Sequence, residues 1–463
     1  MKSARKFAMK PTSFFEFHVI PLVGGLKQIE VMGDGYLGSV DHGKGFDASS
    51  VGLAPVEHSD RLLKIVKEWD TRARIPWEID TSMVLCDIFY YADSISGFGK
   101  EKEYELSPRK VLKDALSKAG ESGYDFKTSV EREFFLLLEN DGKLVPSDDA
   151  PYFAGPPLDK CYHVRREIAR TLVKSFNINT EYGHHEVAKG QHELSFRVGP
   201  ALEMADKVLV SDYVMENLVA GRLWPIDGVD KKLIFTTMPK VFPDQNGSGQ
   251  HIHMSLADKA GKNLFIPKDK SKLISEEARY FIGGILHHAP GLTLLLAPSV
   301  NSYKRLRAGF EAPVAYDPGY AWWNRTMMVR IPGISADKSA RMEVRMADNR
   351  VQPHLVFAGL LHAGLHGIAE KIDPGKPANG VDAFHLNPKD VKYVPSRLDL
   401  AVKEFKKDSY LTKALGADAS AEYARLKKAE WDEFNKNNEW DPVEISPWEI
   451  ERYLYAHNVN YLV

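Results

Sequence analysis

Several stretches of this chain carry residue types that do chemistry only in company. The first is Glu131-Arg132-Glu133, which runs into the apolar Phe134 to Leu138. On a strand, side chains alternate between faces, so both glutamates point the same way while the apolar tail anchors the strand. Two carboxylates on one face repel each other unless a cation lies between them. Read alone, the same pattern is an ordinary solvated strand edge. Next come His184-His185-Glu186 and Gln191-His192-Glu193, with Gly190 turning the chain between them. They place two more carboxylates a short loop apart, or else form an exposed polar turn. Asn246-Gly247-Ser248-Gly249-Gln250-His251-Ile252-His253-Met254-Ser255 follows. Its glycines permit close approach of backbone to a ligand. His251 and His253 share a strand face, so one can bind metal while the other donates a hydrogen bond. Simple packing is the alternative, and a zinc-type site lacks any cysteine partner.

The arginines complete the set. Arg305 sits in Asn301-Ser302-Tyr303-Lys304-Arg305-Leu306, Arg325 follows Asn324, and Arg330 precedes Ile331-Pro332. Arg341, Glu343 and Arg345 alternate along one strand, on a single face. Planar guanidinium groups clamp carboxylate and phosphate in two-pronged fashion, although any one of them can equally be a surface ion pair. Together these segments hold at least five glutamates, one or two histidines and several arginines. Mostly oxygen ligands with one imidazole suit Mg2+ or Mn2+ better than zinc. Arginines beside hard cations are the apparatus of phosphoryl transfer from ATP. No GxxxxGK[ST] stretch is present, which argues against a P-loop ATPase. The residues alone point to a metal-dependent phosphoryl-transfer enzyme without a P-loop.

Elements must position these groups. With 463 residues, 44% hydrophobic and 27% charged, the chain is long and apolar enough for two or three domains with a sizeable core. A formal net charge of −2 gives no global electrostatic case for nucleic acid or an anionic membrane. Cys86 and Cys161 are the only cysteines and fit no metal spacing, so a reducing cytoplasm is expected rather than a disulfide framework. The early Lys2, Arg5, Lys6 and Lys10 are followed by Glu16 and His18, which breaks any secretory pattern. Phe281 to Val300 is free of formal charge, but His287, His288, Pro290 and two glycines make it a buried helix running into a loop. The first hundred residues read as β-rich, with strands at Phe14–Ile20 and Leu26–Met32 before a glycine-rich stretch. Helices are expected at Pro108–Ala119, Val164–Phe176, Ala201–Leu223 and Ala358–Lys371, and strands at Val130–Leu138 and His251–Leu256. From about Ser396 the chain is charged and helical. These elements suit an α+β arrangement with a boundary near residue 105.

In order, these motifs resemble the class I glutamine synthetase family from about residue 14 to the C-terminus. Asn246 to Ser255 and Asn301 to Leu306 are nearly verbatim family signatures. The resemblance implies a small N-terminal β-grasp domain over residues 1–104 and a catalytic domain over 105–463. It implies a homo-oligomer, a dodecamer of two stacked hexameric rings, with each active site between neighbouring subunits. It implies ATP, glutamate and ammonium as substrates and two or three Mg2+ or Mn2+ ions per site. One ion, on the phosphate path, would be held by Glu131, His251 and Glu343. Another, near the glutamate carboxylate, would be held by Glu133, Glu186 and Glu193. Gly247 and Arg305 resemble the residues that hold glutamate. His253 would stabilise phosphoryl transfer, and Arg325, Arg330 and Arg345 would neutralise the moving group. Ser255, Lys338 and Arg341 match nucleotide contacts. Asp47 and Ser50 resemble an ammonium-side loop lent by a neighbour. Tyr152 and Glu311 match the same site, Glu311 also on a closing flap.

The chain departs from the family's pattern in places. Ala48 stands where glycine is usual, and Lys189 where proline is common. Gln352-Pro353-His354 replaces Asn-Pro-Tyr, a change expected to affect packing. Trp322-Trp323 before Asn324 is unusual and reshapes either the substrate entrance or the core. The family's first helix is expected to be absent at the N-terminus. Phe384 stands at the position nearest a tyrosine that some members adenylylate, so that control is expected to be absent. Two other readings compete. One is a γ-glutamyl-amine ligase of the same fold, acting on methylamine, ethanolamine or a polyamine. The other is a non-catalytic scaffold, which the filled ligand positions disfavour.

Overall fold

The computed structural model describes residues 13–51, 53, 59–92, 100–269, 272–307, 313–333 and 339–455. Alternating apolar and polar segments of the sequence become strands, and the strands gather in two main sheets. The N-terminal sheet has seven strands, in the order Lys27–Met32, Phe14–Val19, Thr81–Ala92, Asp60–Ile65 and Lys44–Asp47, with two short strands added to Thr81–Ala92. Phe14–Val19 runs parallel to Thr81–Ala92, and the other pairings are antiparallel. The glycine-rich stretch, left without an element above, forms the helix Gly33–His42. Tertiary packing outweighs its poor propensity, because the Tyr36 ring stacks on Phe15 with centroids 3.6 Å apart.

The second sheet carries the candidate site. Its spine is Asp125–Asn140, longer at both ends than the strand expected from Val130 to Leu138. Thr180–His185 and Gln191–Phe196 form an antiparallel hairpin on one side of the spine. Gln250–Ala257, Met342–Val344, Val329–Ile331 and Tyr320–Trp322 extend the sheet on the other. The apolar run Phe134 to Leu137 is fully buried, which pins the register of the spine.

Helices cover this sheet. Pro108–Glu121 opens with proline in its first turn and buries Val111, Leu112, Ala115 and Ala119. Tyr162–Phe176 and Ala201–Ala220 lie close to their expected positions. Pro353–Glu370 begins five residues before the expected Ala358. Pro353 supplies a preset first turn and the Gln352 side chain accepts from the His354 N–H at 3.4 Å, so the Gln-Pro-His departure is a helix start. The uncharged stretch from Phe281 to Val300 divides between the helices Glu276–His287 and Ala289–Leu296. Its glycines do not interrupt the first of these. A Cβ at Gly284 would lie 1.9 Å from the Ala363 carbonyl oxygen, so glycine there lets two helices touch. Among the described residues no helix is long and apolar enough to cross a membrane. Both cysteines are buried and unpaired.

A buried charge network joins the N-terminal sheet to the helices that cover the second. Arg109, on Pro108–Glu121, donates to Asp206 at 3.0 Å, to Asp87 of the N-terminal sheet at 2.7 Å and to Glu68 at 3.1 Å. His354 adds a 2.8 Å contact to Asp206. Burial opposes ionisation of Asp206, but Arg109 and His354 outweigh it and hold its carboxyl down to about 2.

Candidate active site

The register of the second sheet gathers the candidate ligands on one face. His251 pairs with Glu131, His253 with Glu343, and Glu343 with Arg330 across four neighbouring strands. On the other side Glu133 pairs with Glu193, and Glu193 with His184. Period-two alternation then does the rest. Arg132, between the two spine glutamates, points to the opposite face, where it bonds to Gln250 and Asp212. A narrow cleft results, lined by Glu133, Glu186, Gln191, Gly247, His251 and Arg305 among others.

Two carboxylate clusters occupy the site, and they differ in electrostatics. In the first, His251 Nδ1 lies 3.0 Å from Glu131 and 3.6 Å from Glu343. His253 Nε2 is 2.9 Å from Glu131, and the Tyr182 hydroxyl donates to Glu131 at 2.8 Å. Arg345 donates to Glu343 at 2.6 Å, and Arg330 bonds to its other oxygen. Burial works against ionisation of Glu131, yet His253 and His251 hold its carboxyl well below the usual range. Glu343 is likewise held down, against its burial, by Arg345 first and His253 next. The second cluster lacks such compensation. Burial, then the charges of Glu133 and Glu193, push Glu186 up to about 8. Burial and the charges of Glu131, Glu133 and Glu343 push Glu193 well above its ordinary value. Crowded, buried carboxylates whose acidity is suppressed by one another suit a divalent cation.

Ligand atoms of Glu131, His251 and Glu343 lie within 4.8 Å of one another, as do those of Glu133, Glu193 and His251, and those of His184, Glu186 and Glu193. The donor set therefore fits hard cations at both clusters. His251 stands on the boundary, its Nε2 3.7 Å from Glu133. His184, named in its motif but given no role there, lies 3.3 Å from Glu193 and 3.6 Å from Glu186. Its signal was its spacing, two residues before Glu186 on the hairpin and hence on the same face.

The remaining candidates fall into place around the clusters or away from them. Gly247 must be glycine, since a Cβ would lie 2.2 Å from the Pro239 oxygen and 2.9 Å from Arg305. Arg305 is buried and donates to the carbonyls of Met346 and Arg345. Arg341 lies with its Nε 3.3 Å from His253 Nδ1. Ser255 is half-buried, two residues along the strand from His253. Arg325 is exposed, and its carbonyl accepts from Arg345. Tyr152 stacks on Phe153, centroids 3.9 Å apart, and meets His184 edge-on. Asp47 lies on the N-terminal sheet, accepting from the Ser49 N–H and hydroxyl, and is not among the residues lining this cleft. Glu311, Lys338 and the side chain of Ser50 lie outside the described residues, as does the N-terminal stretch expected to lack the family's first helix. The tryptophan pair divides: Trp322 packs half-buried against the core, while Trp323 is 69% exposed with φ of 56°. Ala48 is fully buried in the core of the N-terminal sheet.

Comparison with known proteins agrees with this layout. Two solved structures, described as "Apo GmaS without ligand" and "GmaS/ADP complex-Conformation 1", superpose with TM-scores of 0.78 and 0.79 at 28% identity, each covering 95% of this chain and 96% of the other. The fold is thus of the glutamine synthetase type, α+β with an N-terminal sheet domain and a catalytic domain. The family "Glutamine synthetase, catalytic domain" matches residues 105–453. Glutamine synthetase of Thermotoga maritima is 36% identical over 457 residues, covering 96% of each chain. That of Methanosarcina mazei is 36% identical, covering 89% of this chain and 88% of its own. The chain belongs to the glutamine synthetase family.

Proposed function

We propose that this enzyme ligates ammonia to the γ-carboxylate of L-glutamate at the expense of ATP, giving L-glutamine, ADP and phosphate through γ-glutamyl phosphate. The observation that carries the reading is the pairing of two carboxylate clusters, bridged by His251, with Arg330 and Arg345 bonded directly to Glu343. Mg2+ or Mn2+ would be held by Glu131, His251 and Glu343 and by Glu133, Glu186 and Glu193. When bound, such ions supply Lewis-acid stabilisation of phosphoryl oxygens and charge neutralisation.

The chain's own groups do the rest. Arg305 and the open backbone at Gly247 hold glutamate in the cleft. Arg330 and Arg345 present guanidinium groups where charge develops on the transferring phosphoryl, with Arg325 at the rim. His253, anchored on Glu131, stabilises the same charge. Ser255, Arg341 and Lys338 contact the nucleotide, a role in keeping with the ADP named for one structural neighbour. Tyr152, Glu311, and Asp47 and Ser50 of a neighbouring subunit form the ammonium side, where anionic groups favour a small cation. This assigns the site to a subunit boundary in a homo-oligomer, a dodecamer, working in the cytoplasm.

Phosphate release from ATP with glutamate and Mg2+ or Mn2+ tests the reading. Ammonium, methylamine, ethanolamine and putrescine are compared at equal free amine. Preference for ammonium with accumulation of glutamine supports it. Preference for a larger amine overturns the ammonium assignment in favour of a γ-glutamyl-amine ligase and moves attention to Trp323.

A further inference from the structure

Beneath the cleft lies a second group of ionisable side chains that the reaction above does not use. Asp148, His185 and His192 are all buried, with ligand atoms within 4.8 Å of one another. By composition they suggest another metal centre. The hydrogen bonds argue otherwise. Arg165 lies with Nη1 2.7 Å from His192 Nδ1, and a guanidinium can only donate. Nδ1 of His192 is therefore the acceptor, its proton sits on Nε2, and no lone pair is left for a cation.

What the group does instead is hold main chain. Asp148 Oδ1 accepts from His185 Nε2 at 2.9 Å and from the Gly190 N–H at 3.1 Å. Its Oδ2 accepts from the Lys160 N–H at 3.1 Å. The far nitrogen of the same ring, His185 Nδ1, donates to the Glu186 carbonyl at 2.7 Å. Asp148 and His185 thus grip both ends of the turn that separates Glu186 from Glu193. The turn has no slack to absorb a change. A Cβ at Gly190 would lie 2.9 Å from the Leu136 carbonyl oxygen and 2.9 Å from the Ser147 nitrogen, and Glu186 N–H donates to the Gln191 carbonyl at 2.8 Å. Neither Asp148 nor His185 is among the residues lining the cleft.

We propose that Asp148 and His185 are positioning residues for the second carboxylate cluster, setting the backbone of Glu186 and Gly190 so that Glu186 and Glu193 converge on one divalent cation. The proposal rests on the reading of two cation sites given above. Partners behind metal ligands of this kind are worth about 10- to 100-fold in metal affinity.

The test is Mn2+ binding to the full-length protein, followed by the electron paramagnetic resonance of free Mn2+, for the wild type and for Asp148→Asn and His185→Gln. Both substitutions keep the side chain's size and polarity. Thermal unfolding of the metal-free proteins controls for fold, and His185→Asn, which can still donate to the Glu186 carbonyl, serves as the conservative rescue. The wild type should show at least two affinities. In Asp148→Asn and His185→Gln one of them should weaken at least tenfold while the other stays within twofold, and His185→Asn should recover part of the loss. Uniform weakening of both affinities, or none, overturns the proposal. A wild type that binds only one ion overturns the two-cation reading instead.

Discussion

The two carboxylate clusters share one cleft and one histidine, yet the protein treats them in opposite ways. Around Glu131 and Glu343 it supplies its own compensation: the charges of Arg345 and Arg330 on Glu343, and the ring contacts of His251 and His253 on Glu131. Both carboxyls stay ionised despite deep burial. Around Glu186 and Glu193 the countercharge is thin, with His184 alongside and Arg325 acting from the rim, and acidity is suppressed accordingly. The first cluster is assembled before any ligand arrives. The second stores repulsion that a cation would release. A site can therefore be preorganised in charge on one side and left deficient on the other, so that a ligand is wanted at one place more than another.

Removing a carboxylate should have opposite effects on stability in the two clusters. Glu343→Gln is expected to lower activity at least a thousandfold and to destabilise the metal-free protein by about 3 kcal/mol or more, since it strands two arginines in a buried setting. Denaturant unfolding beside the ligation assay measures both. Glu193→Gln should also cost activity, about a hundredfold, yet raise the stability of the metal-free protein by about 1 kcal/mol, because it removes a buried carboxyl whose acidity the fold suppresses. If the two variants move stability in the same direction, the contrast between the clusters is wrong.

The pH dependence sharpens the contrast further. Glu186 titrates near 8 in the metal-free fold, above its unfolded value, so its proton must leave when a cation binds. Below pH 8 cation binding should displace protons from the Glu186–Glu193 pair and tighten as pH rises. Calorimetry in two buffers of different ionisation enthalpy reads the proton directly. The smallest expected effect is at the first cluster. Tyr182→Phe removes one hydrogen bond to Glu131 and should shift cation affinity there by only about 1 kcal/mol, roughly fivefold, leaving the second cluster unchanged.

Much of the site was legible because it obeys short periods. Glu131 with Glu133 and His251 with His253 sit two residues apart on strands whose apolar neighbours fix which face is buried, and such patterns survive folding. The helix Gly33–His42 was not legible. Its glycines argue against helix, and the packing of Tyr36 on Phe15 and Phe17 argues for it. Asp148 was invisible for a related reason. It stands in Ser147-Asp148-Asp149, an unremarkable polar stretch, and its partner His185 lies 37 residues away. His184 was readable in principle, on the same face as Glu186, but the neighbouring His185 drew no distinction between a ring facing the cleft and one facing the interior.

His251 has a consequence for how the cleft fills. A single imidazole presents Nδ1 to Glu131 and Glu343 and Nε2 to Glu133. An ion at one cluster would then act on the other through one shared aromatic ring. The coupling is reciprocal by thermodynamic necessity: whatever factor an ion at the first cluster imposes on the affinity of the second, an ion at the second imposes on the first. Exchanging one metal for another at either position would then be a change to both.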